Sequence, residues 1–162
     1  MLPPVATAVP LFILFTRLNL IDTHLGLMLL YVSWGLPFSV WMLRGFFEGI
    51  PASIEESAMI DGCGYFGTFT RISLPLVAPG LSATILLNLI FMWNEFLFAL
   101  IFTQHNSPTL PILAASYVRG VMGVEWAEMC AAGTLAILPI LVIGILSQKY
   151  FVRGLTMGAM KG

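Results

Sequence analysis

Long apolar stretches alternate with two polar connections along this chain. The apolar stretches cover residues 1–16, 25–43, 72–94 and 129–148. The third stretch continues past a single acid, Glu95, to Thr103. A hydrocarbon core of about 30 Å requires about 20 apolar residues when the segment is helical. Proline inside these stretches is compatible with this, since neighbouring helices satisfy the freed carbonyls. The pattern predicts an all-α, polytopic transmembrane helix bundle with about four spans.

The composition favours contact with lipid over a soluble core. Of the 162 residues, 59% are hydrophobic and 9% are charged. An average soluble domain is about 45–50% apolar and about 25% charged, so the excess apolar surface is expected to face lipid. The formal net charge of −1 gives no electrostatic argument for nucleic-acid binding. Cys63 and Cys130 lack the spacing of metal ligands, and we expect no metal at this chain.

The basic residues predict the orientation of the spans. Five of the seven lie on one side and two on the other: Arg44, Arg71, Lys149, Arg153 and Lys161 against Arg17 and Arg119. Cytoplasmic loops carry an excess of lysine and arginine. We therefore expect the connection between residues 44 and 71, and the C-terminal end, to face the cytoplasm.

The first polar connection predicts a short helix over residues 54–61. Pro51 suits a helix start, because its missing N–H costs nothing there. Ser53 and Glu56 have the spacing of a capping box, and Glu55 and Glu56 fall in the first turn, where the helix dipole favours negative charge. Gly62 is expected to supply a turn that a β-carbon would prevent.

A second short helix is predicted directly after this turn, with Tyr65, Phe69 and Ile72 on one face. The first of the two helices is marginal alone in water and must be held by packing. It suits the groove of a partner protein, and it equally suits a connector that lies on lipid headgroups or on its own bundle. The residues by themselves leave both interpretations open.

A spacing pattern in residues 49–76 distinguishes docking to a partner from a connector that lies on lipid or on its own bundle. The segment reads GIPASIEESAMIDGCGYFGTFTRISLPL. Glu56-Ser57-Ala58, three residues, Gly62, nine residues and Ile72-Ser73-Leu74-Pro75 resemble the EAA loop of ABC importer permeases. The spacing matches throughout, and Ser57 in place of alanine is a small-for-small departure. The resemblance favours docking to a partner.

This resemblance implies that the loop is a coupling helix resting in a groove of a cytoplasmic ATPase subunit. The residues implied in ATPase coupling are Glu55, Glu56, Ser57, Ala58, Asp61, Gly62, Ile72, Leu74 and Pro75. Closure of the ATP-bound dimer would move the docked helices and switch the spans between inward- and outward-facing states. Asp61 lies where its charge opposes the helix dipole, so it either pairs with a basic residue of the partner or closes the turn.

Two further segments resemble the sugar-importing branch of these permeases, in particular the smaller permease of maltose- and glycerol-phosphate-type systems. They are Trp93-Asn94-Glu95-Phe96-Leu97-Phe98-Ala99-Leu100 and residues 151–162. The resemblance implies one permease domain over residues 1–162, its C-terminal portion, with two leading spans expected upstream. It also implies an inner-membrane location and several partners. These are a dimer of ATP-binding subunits that holds ATP and Mg²⁺, a second permease subunit, an extracytoplasmic solute-binding protein and membrane lipid.

Glu95 is the one acid well inside an apolar stretch. A charge at the centre of the bilayer costs about 2.5–3.5 kcal/mol even on insertion scales. Glu95 is therefore expected to face a cavity or another helix. With Trp93 and Asn94 it forms a candidate substrate path. The alternative is an interhelical hydrogen bond or a position near the outer interface.

Two other functions compete with a working transporter. An inactive fragment or split permease would share the family but lack transport. A membrane-embedded enzyme would draw on the scattered acids and histidines, Glu55, Glu56, Asp61, Glu95, His24 and His105. The sequence contains no phosphate-cradling glycine loop, nucleophile elbow or His-Glu metal pattern. We therefore expect no catalytic residue in this chain and ATP hydrolysis in a partner.

Overall fold

The computed structural model describes residues 3–103, 106–117 and 126–159, with side chains as far as residue 145. His105, Arg119 and Lys161 lie outside the described residues, and the side chains of Lys149 and Arg153 lie outside the described side chains. The orientation of the spans across the membrane, which rests on those basic residues, therefore stays a prediction.

Every regular element in the described ranges is helical. The helices are α1 (Pro4–Arg17), α2 (His24–Phe47), α3 (Ala52–Ile60), α4 (Tyr65–Thr68), α5 (Leu74–Trp93), α6 (Leu97–Phe102), α7 (Leu110–Ser116) and α8 (Trp126–Ala159). A π-helical turn, Phe69–Ser73, joins α4 to α5. Three stretches are long and apolar enough to cross a membrane, namely His24–Phe47, Tyr65–Trp93 and Trp126–Ile145, whereas α1 is apolar but has 14 residues. The predicted fold class, an all-α bundle of membrane-length helices, is confirmed.

Two predicted boundaries near the third stretch are wrong. The second short helix does not stand apart from the span, because α4, the π-helical turn and α5 form one stretch, Tyr65–Trp93. The span also does not continue to Thr103, since α5 ends at Trp93 and α6 begins at Leu97. Glu95 explains this interruption. Its carboxylate accepts hydrogen bonds from the first free N–H groups of α6, which a continuous helix would not leave available.

The chain divides into two compact units, the first made of residues 1–35 and 90–143 and the second of residues 36–89 and 144–162. The first unit is organised around aromatic packing between α1, α2 and α6. Its buried residues are Ala8, Phe15, Leu30, Phe98 and Phe102. The Phe102 ring meets that of Phe15 edge to face with centroids 5.3 Å apart, and Phe98 meets Trp34 at the same distance. Such edge-to-face pairs stabilise the fold beyond what burial of the ring area alone contributes.

The second unit brings α2 against α5 at a point of close approach. The ring of Phe46 lies where a β-carbon on Gly80 would have to be, so only glycine fits there. Farther along the same pair of helices, the Asn88 side-chain amide donates to the Ser39 hydroxyl at 3.0 Å. Asn88 therefore joins two helices by a polar bond, as polar residues inside spanning helices commonly do.

Candidate coupling site around helix α3

Helix α3 begins earlier than the sequence predicted and without the predicted capping box. Pro51 occupies the N-cap position with φ −62° and ψ 128°, and among the described residues no side chain caps the helix. Ser53 already lies within the first turn, where its carbonyl accepts a hydrogen bond from the Ser57 hydroxyl. The proline ring fixes φ close to the helical value, so the helix starts at Ala52 before Ser53 can act as a cap.

The end of α3 confirms the turn predicted at Gly62, whose φ is +87°. The N–H of Gly62 donates to the carbonyl of Met59, and the N–H of Cys63 donates to the carbonyl of Ala58. These two bonds form a Schellman motif, which satisfies carbonyls that the helix end would otherwise leave free. Asp61 is the C-cap residue, with an exposed side chain. The sharp reversal directs the chain from α3 into α4.

One face of α3 turns inward. Ala58 is the buried residue of this helix at 8% exposure. Three residues before it, Glu55 is half-buried, and its Oε1 accepts a hydrogen bond of 2.7 Å from the Ser73 hydroxyl. Ser73 ends the π-helical turn and is 2% exposed. The inward face of α3 therefore buries one small apolar residue and joins the π-helical turn through one charged hydrogen bond.

A cavity of about 370 Å³ opens beside this contact. It is lined by Phe47, Glu55, Met59, Tyr65, Thr68, Phe69 and Ser73. The rings of Phe47 and Phe69 stack at its wall with centroids 6.0 Å apart. The Thr68 hydroxyl is buried and has no hydrogen-bond partner within the described residues. Beneath α3 there is thus space in which a carboxylate and two buried hydroxyls meet.

The opposite face of α3 is open. Glu56, Ser57 and Asp61 are exposed, as the docking hypothesis requires of residues that meet a partner. Next to them, the structure exposes large apolar side chains that the sequence analysis had not singled out for contact: Ile60 at 86%, Tyr65 at 86% and Phe66 at 80%. We call Ile60, Tyr65 and Phe66 the exposed apolar patch. Large exposed apolar side chains near one another commonly mark interaction surfaces. Tyr65 also lines the cavity beneath α3.

The remaining predicted coupling residues lie at the start of the span. Ile72 is half-buried in the π-helical turn, and Leu74 and Pro75 are exposed in the first turn of α5. Ile72 and Glu56 each neighbour in sequence a residue of the Glu55–Ser73 contact, but Ile72 is half-buried whereas Glu56 is exposed. Ser73 and Thr68 were missed by the sequence analysis, because a lone hydroxyl in a loop motif carries no signal of where it points.

The predicted substrate-path residues lie where α5 gives way to α6. The Trp93 indole N–H donates to the carbonyl of Ala136 at 3.0 Å, and the Asn94 side chain donates to the carbonyl of Ile90 in its own helix. Glu95 accepts from the N–H of Phe98 at 2.7 Å and from that of Ala99 at 3.0 Å. Its Oε2 also lies 3.4 Å from the Tyr31 hydroxyl on α2. Trp93 and Glu95 thus form hydrogen bonds to other helices, whereas Asn94 bonds within its own helix. The substrate path through these residues stays a prediction.

Comparison with known proteins identifies relatives over the whole chain. Residues 1–157 match the family described as binding-protein-dependent transport system inner membrane component. A Sinorhizobium fredii protein named "Probable ABC transporter permease protein y4oR" is 40% identical over 160 residues, which are 99% of this chain and 57% of that protein. The trehalose/maltose transport system permease protein of Thermococcus litoralis is 41% identical over 164 residues, 100% of this chain and 59% of the relative.

A third relative, the diacetylchitobiose uptake system permease protein of Streptomyces coelicolor, is 36% identical over 163 residues, 100% of this chain and 59% of the relative. The chain therefore spans somewhat more than half the length of these three proteins. The family match covers nearly all of the chain, including α3 and the membrane-length helices. By this match the chain belongs to the family of binding-protein-dependent transport system inner membrane components.

Proposed function

We propose that this chain is the transmembrane permease subunit of an ABC importer that moves a carbohydrate or sugar derivative across the inner membrane. ATP hydrolysis in a partner subunit drives the transport. The observation that carries the proposal is α3, an acidic helix of nine residues exposed between two membrane-length stretches. A connector resting on its own bundle would cover its apolar side chains, whereas the exposed apolar patch suits the groove of a partner.

The carbohydrate is supported by what relatives are named for. The Thermococcus litoralis relative is a trehalose/maltose permease protein, and the Streptomyces coelicolor relative is a diacetylchitobiose permease protein. Both names describe saccharides. We extend to this chain only the class that they share, a carbohydrate or a sugar derivative.

The partners follow from the same proposal. Two cytoplasmic ATP-binding subunits hold ATP and Mg²⁺, a second permease subunit completes the pathway, and an extracytoplasmic solute-binding protein delivers the solute. Helix α3 faces the cytoplasm and meets an ATP-binding subunit through Glu56, Ser57 and Asp61, which are exposed. Trp93, Asn94 and Glu95 contribute to the solute path by fixing the interruption between α5 and α6 beside it.

The proposal predicts that α3 variants lose coupling while the membrane part stays intact. Asp61→Lys reverses a charge on the outward face, and Gly62→Leu cannot adopt φ +87° without strain. Either change should lower co-purification of ATPase activity with the tagged subunit, or lower uptake of radiolabelled maltose and trehalose at unchanged ATPase activity, by about tenfold. Glu128→Lys, at an exposed acid in the first turn of α8, is the matched control and should leave both measurements unchanged.

Normal co-purification and normal uptake in both α3 variants would remove the basis of the proposal. Labelling tests the orientation separately. A cysteine placed at Ser57 should react with a membrane-impermeant maleimide only after the cells are opened. Reaction in intact cells would put α3 outside the cell and exclude an ATPase as its partner.

A further inference from the structure

We propose that α3 has two registers against the start of α5, and that Glu55 selects between them by accepting a hydrogen bond from Ser73 in one and from Thr68 in the other. The inference rests on the proposed function, because it assigns α3 the movement through which a partner would act. The described structure holds the Ser73 register. Glu55, Ser73 and Thr68 are positioning residues for transport in this scheme.

The bond between Glu55 and Ser73 is the principal polar contact of α3. In the described part of the chain it is the one side-chain hydrogen bond that joins α3 to another element. A hydroxyl that donates to a carboxylate makes a charge-assisted bond, which is roughly twice as strong as a neutral one. Because Ser73 is 2% exposed, water does not compete freely for its hydroxyl. Loss of this bond would remove the side-chain hydrogen bond that fixes α3 against the π-helical turn.

Apolar packing does not fix that position instead. Ala58 is the one residue of α3 that is buried, and a methyl group offers little contact area. Beside it lies the cavity of about 370 Å³, into which both Glu55 and Met59 face as lining residues. A close-packed interior resists displacement, whereas an unfilled space permits it. The cavity therefore leaves room beside α3 in which the Glu55 carboxylate could change its partner.

A second hydrogen-bond donor for the Glu55 carboxylate, the Thr68 hydroxyl, lines the same cavity. Thr68 is 5% exposed, and its hydroxyl is buried without a hydrogen-bond partner in the described residues. A buried polar group without a partner costs about 1–3 kcal/mol. The second register would remove this cost at Thr68 and place it on Ser73, so each register leaves one buried hydroxyl without the carboxylate. Thr68 and Ser73 both line the cavity that holds Glu55.

The π-helical turn explains why both hydroxyls face one cavity. Thr68 and Ser73 are five residues apart, a spacing that points in different directions on an α-helix. The intervening π-helical turn, Phe69–Ser73, has i to i+5 bonding, which places residues five apart on one side and one turn from each other. The movement between registers therefore corresponds to about one helical turn, of the order of 5 Å.

The two registers are distinguished by a distance measurement that needs no partner. Spin labels at Ser57 and Leu76, both exposed, would report the position of α3 against α5 in the subunit reconstituted in lipid nanodiscs, with Cys63 and Cys130 replaced by serine. We expect two label separations, several Å apart. Ser73→Ala should shift their ratio toward the second by at least about fivefold, and Thr68→Val, which keeps the shape and removes the hydroxyl, should shift it the other way.

Thr70→Val is the matched control, since the Thr70 hydroxyl donates to the carbonyl of Phe66 in its own helix. It should leave the ratio unchanged, and Glu55→Gln, which keeps an acceptor oxygen, should retain both separations. A single separation in every variant, or a shift in the same direction for Ser73→Ala and Thr68→Val, would overturn the inference. Two registers in a subunit that co-purifies no ATPase would instead count against the proposed function alone.

Discussion

Two connections in this chain end a helix with the same turn and then differ in what holds them. After α1, Asn19 has φ +54°, and the N–H groups of Asn19 and Leu20 donate to the carbonyls of Thr16 and Phe15. After α3, Gly62 takes the same role with the same pattern of bonds. Both are Schellman motifs. The local chemistry of the turn is therefore shared, and the difference lies in the contacts that follow it.

The connection after α1 is fastened to a distant part of the chain. Asp22 accepts hydrogen bonds from the N–H groups of Asn106 and Ser107 and from the Ser107 hydroxyl, at 3.1 to 3.3 Å. Its own N–H donates to the carbonyl of Phe102. Thr23 then caps α2 through the N–H of Gly26. This connection cannot move without breaking several bonds at once.

The connection after α3 carries no comparable fastening. Among the residues that the structure describes, no side chain of residues 61–64 makes a hydrogen bond outside the turn, and Asp61 is exposed. Turn chemistry therefore sets the path of the backbone, whereas hydrogen bonds between distant residues decide whether a connection is held in place or left exposed. The free connection is the one that lies beside the exposed apolar patch.

The largest expected effect on stability is in the connection after α1. Asp22→Ala removes the acceptor for three donors, two of them on the buried Ser107, so we expect a loss of about 2–3 kcal/mol in the stability of the purified protein. Asp61→Ala, at the exposed acid of the free connection, should change stability by less than about 0.5 kcal/mol. Thermal unfolding in detergent, followed by circular dichroism, measures both. Equal losses would mean that the two connections are held alike.

A smaller effect is expected from the left-handed residues of the two Schellman motifs, Asn19 and Gly62. Gly62→Ala introduces a β-carbon at φ +87°, where it meets open space, so the cost is the backbone conformation alone, about 1–2 kcal/mol. Asn19→Gly should be nearly neutral, because asparagine already tolerates that conformation and glycine adopts it freely. The same unfolding measurement applies. A neutral Gly62→Ala would show that α3 can end in another way.

The smallest expected effects on stability concern the residues at the starts of α2 and α3. Thr23→Ala removes the oxygen that accepts from the N–H of Gly26 at 3.0 Å, and loss of such a cap costs about 1 kcal/mol. Ser53→Ala, at the residue predicted to cap α3, should cost at most a few tenths of a kcal/mol, since its side chain caps nothing in the described structure. A cost at Ser53 equal to that at Thr23 would restore the capping box that the structure lacks.

Local rules predicted α3 well because its signals lie in neighbouring residues. The turn at Gly62 depends on one residue that can adopt a positive φ, and the sequence places glycine there. The start of α3 was misjudged for an equally local reason. Pro51 and Ser53 both signal a helix start, and the covalent restriction of proline outweighed the optional hydrogen bond of serine.

Contacts between distant residues could not be predicted from the sequence. Asp22 and Ser107 are 85 positions apart, and Glu55 and Ser73 are 18 apart with a π-helical turn between them. Glu95 was recognised as unusual in an apolar stretch, yet its role in starting α6 appeared only with the backbone path. A single sequence reports which polar groups need partners, while the fold decides which partners they find.

The Phe46 ring of α2 packs directly on Gly80 of α5, and this contact limits which side chains fit at residue 80. No space is left for a β-carbon at residue 80. A methyl group there would displace the Phe46 ring and the C-terminal end of α2 that carries it. Phe47, the next residue, stacks on Phe69 at the wall of the cavity beneath α3. A displacement that begins between α2 and α5 would therefore reach the cavity beside α3 through Phe47, without contacting any residue of α3 directly.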